Sequence, residues 1–147
     1  MHFCHGTLTC KFSGLIVHYL TGVERIDQEH IQLVRTLNEH FARSNPDMNL
    51  STVFTMLADF NAYALTHFAT EAQETHTAGL ENSVLWQMHQ GEHEYYQKRM
   101  QEFQGQAQGD CPGTAEHLRT FMHYWWLNHL CDADQKLGRA IMAMRHP

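Results

Sequence analysis

The chain has 147 residues, 43% of them hydrophobic, and a net charge of −6 with histidine counted neutral. That length suits one domain with a real core, and the acidic balance without a basic cluster argues against a nucleic-acid partner. No apolar run reaches membrane-spanning length, and the four cysteines (Cys4, Cys10, Cys111, Cys131) show no CxxC spacing, so no disulfide framework or zinc knuckle is indicated and a reducing cytoplasm is expected.

Residues 1–20 read as an N-terminal arm. His2, Cys4, His5, Cys10 and His18 are irregularly spaced there, which favours a packed or frayed arm over a metal site. The first helix is expected from Val23 to Ala42, with Val23, Ile26, His30, Leu33, Leu37 and Phe41 as its buried stripe. His30 stands where an aliphatic residue belongs, either as a hydrogen-bonded core residue or as a ligand. Asn45-Pro46-Asp47 breaks this helix.

A second helix is expected from a Ser51 cap, with Val53, Leu57, Phe60, Ala64, His67 and Glu71 at heptad spacing. A stripe that ends in a histidine and a carboxylate one turn apart is unusual. A buried Glu71 needs a partner, because an isolated buried carboxylate is costly. A surface pair at a frayed helix end would relieve that cost, and so would a metal. Glu74 is expected on a solvated face, the alternative being an approach to the site if this helix persists.

A third helix, capped by Asn82 or Ser83, carries His89, His93, Tyr96, Met100 and Phe103 at 4-3-4-3 spacing. Two imidazoles four residues apart share a face and can grip one ion. Thirteen histidines give about one such pair by chance, so the pair gains weight only from the core histidines of the other helices. Gly105 to Gly113 reads as a linker. Thr114 is expected to cap a fourth helix reaching about Met144, with Leu118, Met122, Trp125, His129, Ala133 and Ala140 inward. Asp134, five residues after His129, falls about 140° round an ideal helix and off that face. His40, His76, His117 and His123 are expected off the metal face. The pattern is all-α: an up-down-up-down antiparallel four-helix bundle over 21–147, preceded by the arm.

At Asp134 the chain resembles the hemerythrin family in its bacterial form. The matching pieces are Gly22-Val23 with Ile26-Asp27-x-x-His30, His67-Phe68-x-x-Glu71, His89-x-x-x-His93, and Trp125-x-x-x-His129-Leu130-x-x-x-Asp134 followed by Lys136-Leu137-Gly138. The resemblance implies a di-iron centre with an oxo or hydroxo bridge. His89, His93 and His129 would be terminal ligands of one iron and His30 and His67 of the other, with Glu71 and Asp134 bridging, Asp134 from the flank. Two six-coordinate ions offer twelve positions, of which these ligands and the bridge fill eleven. The open position would take O2 or another small diatomic molecule. Imidazoles outnumber carboxylates, which favours reversible O2 binding over substrate oxidation.

The resemblance therefore implies an oxygen carrier or store, or an O2 or redox sensor fused to or partnered with a signalling output domain. The alternative is a di-iron enzyme handling peroxide or nitric oxide. Two departures bear on that choice. Trp126 and Cys131 replace the family's usual aliphatic residues beside His129, and both are candidates to line the O2 pocket.

Overall fold

The computed structural model describes residues 19–43 and 47–147. Most of the expected N-terminal arm, including His2, Cys4, His5, Cys10 and His18, lies outside the described residues. Helix α1 runs over Glu24–Arg43, α2 over Leu50–Thr77, α3 over Val84–Gln108 and α4 over Thr114–Asn128. A π-helical turn, His129–Ala133, joins α4 to α5, Asp134–Arg145, so these three segments form the fourth rod of the bundle.

Local chemistry sets the ends. Glu24 and Asp27 in the first turn of α1 complement the helix dipole, as do His40 and Arg43 in its last turn. Asp27 also accepts from the Thr21 N–H at 2.6 Å, the Thr21 hydroxyl at 2.8 Å and the Gly22 N–H at 3.1 Å. This fixes the lead-in against α5. Gly138 has no side chain because a Cβ there would sit 2.5 Å from Cβ of Thr21.

Three expected boundaries shift. Asn49, not Ser51, caps α2, accepting from the Thr52 N–H at 2.9 Å. Ser83 caps α3 through the Trp86 N–H at 3.1 Å, within the expected pair. The supposed linker from Gly105 is still helix to Gln108, because buried Ala107 continues the stripe of Met100 and Phe103. Thr114 is the first helical residue rather than the cap. Left-handed Gly113, φ 80°, makes the turn, and the Thr114 hydroxyl donates to the Cys111 carbonyl.

The stripe on the fourth rod also differs. Trp126 faces the core, with Leu118, Met122, Leu130, Leu137 and Ile141, while Trp125 and Ala140 are half-buried. Two apolar clusters result. The larger includes Leu33, Leu37, Leu57, Phe60, Tyr96, Phe103, Leu118 and Trp126. The smaller comprises Val23, Ile26, Trp86, Leu137 and Ile141. Along α1 and α3 the buried histidines fall between the two. Glu74 is buried rather than solvated, because Arg25 at 3.2 Å and Arg145 both close on its carboxylate. Among the described residues no helix is long and apolar enough to cross a membrane.

Candidate metal centre

Four rods deliver seven ionisable side chains to one layer: His30 from α1, His67 and Glu71 from α2, His89 and His93 from α3, and His129 and Asp134 from the fourth rod. All seven are buried. Each histidine turns Nε2 inward. His30 and His67 approach Oδ2 of Asp134 at 2.8 and 3.3 Å. His89 and His129 approach its Oδ1 at 3.3 and 2.9 Å. Around Glu71, His67 and His89 lie 3.6 and 3.2 Å from Oε1, and His93 and His129 lie 2.8 and 3.7 Å from Oε2.

His30 and His67 hydrogen-bond with Oδ2 of Asp134, but elsewhere nearness is not hydrogen bonding. Both Glu71 oxygens, Oδ1 of Asp134 and Nε2 of His89 are buried without an aligned hydrogen-bond partner. His93 and His129 point Nε2 at each other across 3.2 Å, where at most one proton fits between them. Such unsatisfied buried groups cost about 1–3 kcal/mol each. Cations in their midst would satisfy all of them together. Two overlapping sets have donor atoms within 4.8 Å of one another: Glu71, His89, His93 and His129; and His67, Glu71, His129 and Asp134. Imidazole with carboxylate suits a transition metal. The residues fit a metal ion.

The π turn explains Asp134. Its N–H donates to the carbonyl of His129, five residues back. The wider turn carries Asp134 round onto the histidine's face. An ideal α-helix would have left it about 140° away, so the expected approach from the flank is replaced by a local change of helix type, which recurs at functional sites.

An outer layer holds the imidazoles. Nδ1 of His30 meets the Tyr19 carbonyl at 2.6 Å, Nδ1 of His67 meets Glu29 at 3.4 Å, and Nδ1 of His129 meets Glu92 at 3.1 Å. These acceptors hold each Nε2 toward the centre. Trp125 stacks on His129 at 4.4 Å between centroids, and Phe68 on His93 at 3.7 Å. Glu29, Glu92 and Trp125 have no place in the expected ligand set. Glu29 and Glu92 each precede a core histidine, where periodicity alone reads a surface charge. The need of every inward imidazole for an outer acceptor is the signal that finds them.

The electrostatics are those of two anions among imidazoles. Burial alone would raise the Glu71 carboxyl, as would the charge of Asp134, but the histidines hold it well below its ordinary range. Burial likewise opposes ionisation of Asp134, yet His129, His30 and His67 hold it low. Burial pushes His67 down, but Glu71, Asp134 and Glu29 outweigh it and raise it to about 10. His93, where burial wins over Glu71, falls to about 4.

The two candidate pocket residues part company. Trp126 is fully buried, with ring centroids 6.1 Å from His67, 6.1 Å from His129 and 5.9 Å from Tyr63. Its indole N–H has no aligned acceptor. Cys131 is exposed. Two residues along a helix is roughly half a turn, so adjacency to His129 in sequence sends Cys131 to the opposite side. The structure does not bring it to the cluster. His40 and His76 are also outside it, paired with Asp59 and Glu81.

Fold and site together define an all-helical domain built round a buried histidine–carboxylate centre for cations. The sequence model of the hemerythrin HHE cation binding domain matches residues 21–141, and the chain belongs to the hemerythrin family. No curated protein and no solved structure matches it significantly.

Proposed function

We propose that the centre holds two iron ions and that the domain binds O2, or a comparable diatomic molecule, reversibly. His89, His93 and His129 would be terminal to one iron and His30 and His67 to the other, with Glu71 and Asp134 spanning both. The observation that carries this reading is the orphaned carboxylate pair. Both Glu71 oxygens and one Asp134 oxygen face inward among five Nε2 atoms without hydrogen-bond partners, as bridging carboxylates would. When bound, two ferrous ions supply two reducing equivalents and an open coordination position.

The chain's own residues then set the chemistry. Five neutral donors against two anions give little support to high-valent iron, which favours binding over oxidation. Phe68, Tyr63 and Trp126 wall the centre with rings and keep bulk water out. Such a domain serves as a carrier or store, or as the O2 or redox sensor of a signalling protein. The competing reading, turnover of peroxide or nitric oxide, draws on Trp126 alone, because exposed Cys131 no longer supports it.

The test is an optical spectrum of iron-loaded, anaerobically reduced protein before air, after air and after removal of O2. A new visible band that disappears reversibly supports O2 binding. Irreversible bleaching with steady consumption of added peroxide would favour the enzyme.

A further inference from the structure

All seven donors are buried, so an ion must cross the wall of the bundle to reach them. Two clefts in the described surface each include a histidine of the cluster. One, of about 160 Å³, is lined by Phe68, Trp86 and His93, with Glu94 among its residues. The other, of about 60 Å³, lies between α3 and the π turn and is lined by His89, Glu92, Asp132 and Lys136, with Leu85 and Met88.

We propose that divalent metal reaches the centre through the cleft between α3 and the π turn, and that the Asp132–Lys136 pair governs the rate of uptake. This rests on the metal-centre reading above. The inner wall of the cleft is His89, buried, with Nε2 unpartnered and 3.2 Å from Glu71. An ion arriving there has only the His89 ring between it and the centre, because Nε2 of that ring faces inward. The next group outward is Glu92, whose half-exposed carboxylate lies 3.1 Å from Nδ1 of His129. It offers oxygen to a cation that has begun to lose water. At the surface, Asp132 and Lys136 face each other at 3.1 Å, both more than half exposed. The cleft is narrow, so a hydrated ion must shed part of its shell to pass, and carboxylate oxygens are the groups that replace it.

The other cleft is the poorer route for an ion. Phe68 lies flat on His93, with ring planes 10° apart, and the Trp86 ring adds a second apolar wall. A rate set by charge at a narrow mouth follows from Coulomb steering within a Debye length. The Asp132 carboxylate draws a divalent ion in, and the Lys136 ammonium opposes it.

The experiment is stopped-flow uptake of cobalt(II) by metal-free protein at low ionic strength, read by the optical bands of the bound ion. Asp132→Lys should slow uptake about tenfold, Asp132→Asn should slow it less, and Lys136→Glu should accelerate it. None of these touches a donor of the centre, so final cobalt per chain should equal that of the parent. The differences should collapse near 1 M salt. Glu94→Lys, at the aromatic cleft, should load at the parental rate. Unchanged uptake in both Asp132→Lys and Lys136→Glu, or slowing by Glu94→Lys as large as by Asp132→Lys, would overturn the route. A parent that takes up no cobalt fails at the metal centre itself and removes the route with it.

Discussion

The larger apolar cluster and the ionisable layer beside it are equally buried and built on opposite terms. Phe60, Leu57, Leu118 and Met122 are fully excluded from water and bring no side-chain oxygen or nitrogen to satisfy; the orphan of their cluster is the Trp126 indole N–H. The layer of His30, His67, Glu71, His89, His93, His129 and Asp134 is as dry, yet it leaves both Glu71 oxygens without hydrogen-bond partners. One region is nearly complete as protein. The other is complete only with something added. Stability should therefore reside in the first and metal occupancy in the second, and substitutions should separate the two.

The largest effect is expected at the shared carboxylates. Glu71→Ala or Asp134→Ala removes oxygens that face four histidines each. Metal analysis of iron-supplied protein should find two ions per chain in the parent and a loss in either variant greater than in any single histidine-to-alanine change. Retention of full occupancy by either variant would mean that its carboxylate spans nothing. Phe60→Ala is the converse case. It should cost about 3–5 kcal/mol in denaturant titration through the cavity it leaves, while the folded fraction keeps its metal. If Phe60→Ala lost metal before it lost helix content, the two regions would not be separable.

Next in size come the outer carboxylates. Glu29→Gln and Glu92→Gln keep a hydrogen-bond acceptor but remove the charge behind His67 and His129. Each should weaken metal affinity about 10- to 100-fold in competition with a chelator, with little change in the melting temperature of the metal-free protein. Equal loss of stability with and without metal would make these contacts merely structural.

The same contrast shows what the sequence could reveal. Every residue that apolar periodicity named for the stripes of α1, α2 and α3 is buried except half-buried Phe41, because burying hydrocarbon is a repeating demand along a helix, but the stripes are wider than the repeat and also take in Val34, Met56, Phe68, Trp86 and Ala107. The four-helix architecture followed from the same pattern. Periodicity failed where helix geometry itself changes. The π turn moves Asp134 onto the face of His129, and nothing in a 3.6-residue repeat announces it; only the family motif placed that carboxylate. It gave no sign of Glu29 and Glu92, and it failed again for Glu74, expected on a solvated face. Each is held by a partner distant in sequence: His67, His129, and Arg25 with Arg145. Pairings of that kind carry no periodic signal.

The smallest effects divide two neighbours on the fourth rod. Trp126 and Cys131 lie on either side of His129 in sequence, and both depart from the family's usual hydrocarbon. Trp126 packs against the rings of His67, Tyr63 and Tyr96 and is fully buried. Its bulk closes space beside the centre that leucine would leave open. Cys131 is on the outer side of the π turn, where partial desolvation and the nearby Asp134 charge push its thiol up from its ordinary value. It is thus neither a wall of the centre nor a ready thiolate. Stopped-flow mixing of the diferrous protein with O2 should show Trp126→Leu changing association and dissociation in the same direction, severalfold, at unchanged metal content. Cys131→Leu should leave both rates and the autoxidation rate as in the parent. A Cys131→Leu variant with slower autoxidation would mean that the thiol reaches the centre from outside, and the contrast between the two faces of this rod would have to be abandoned.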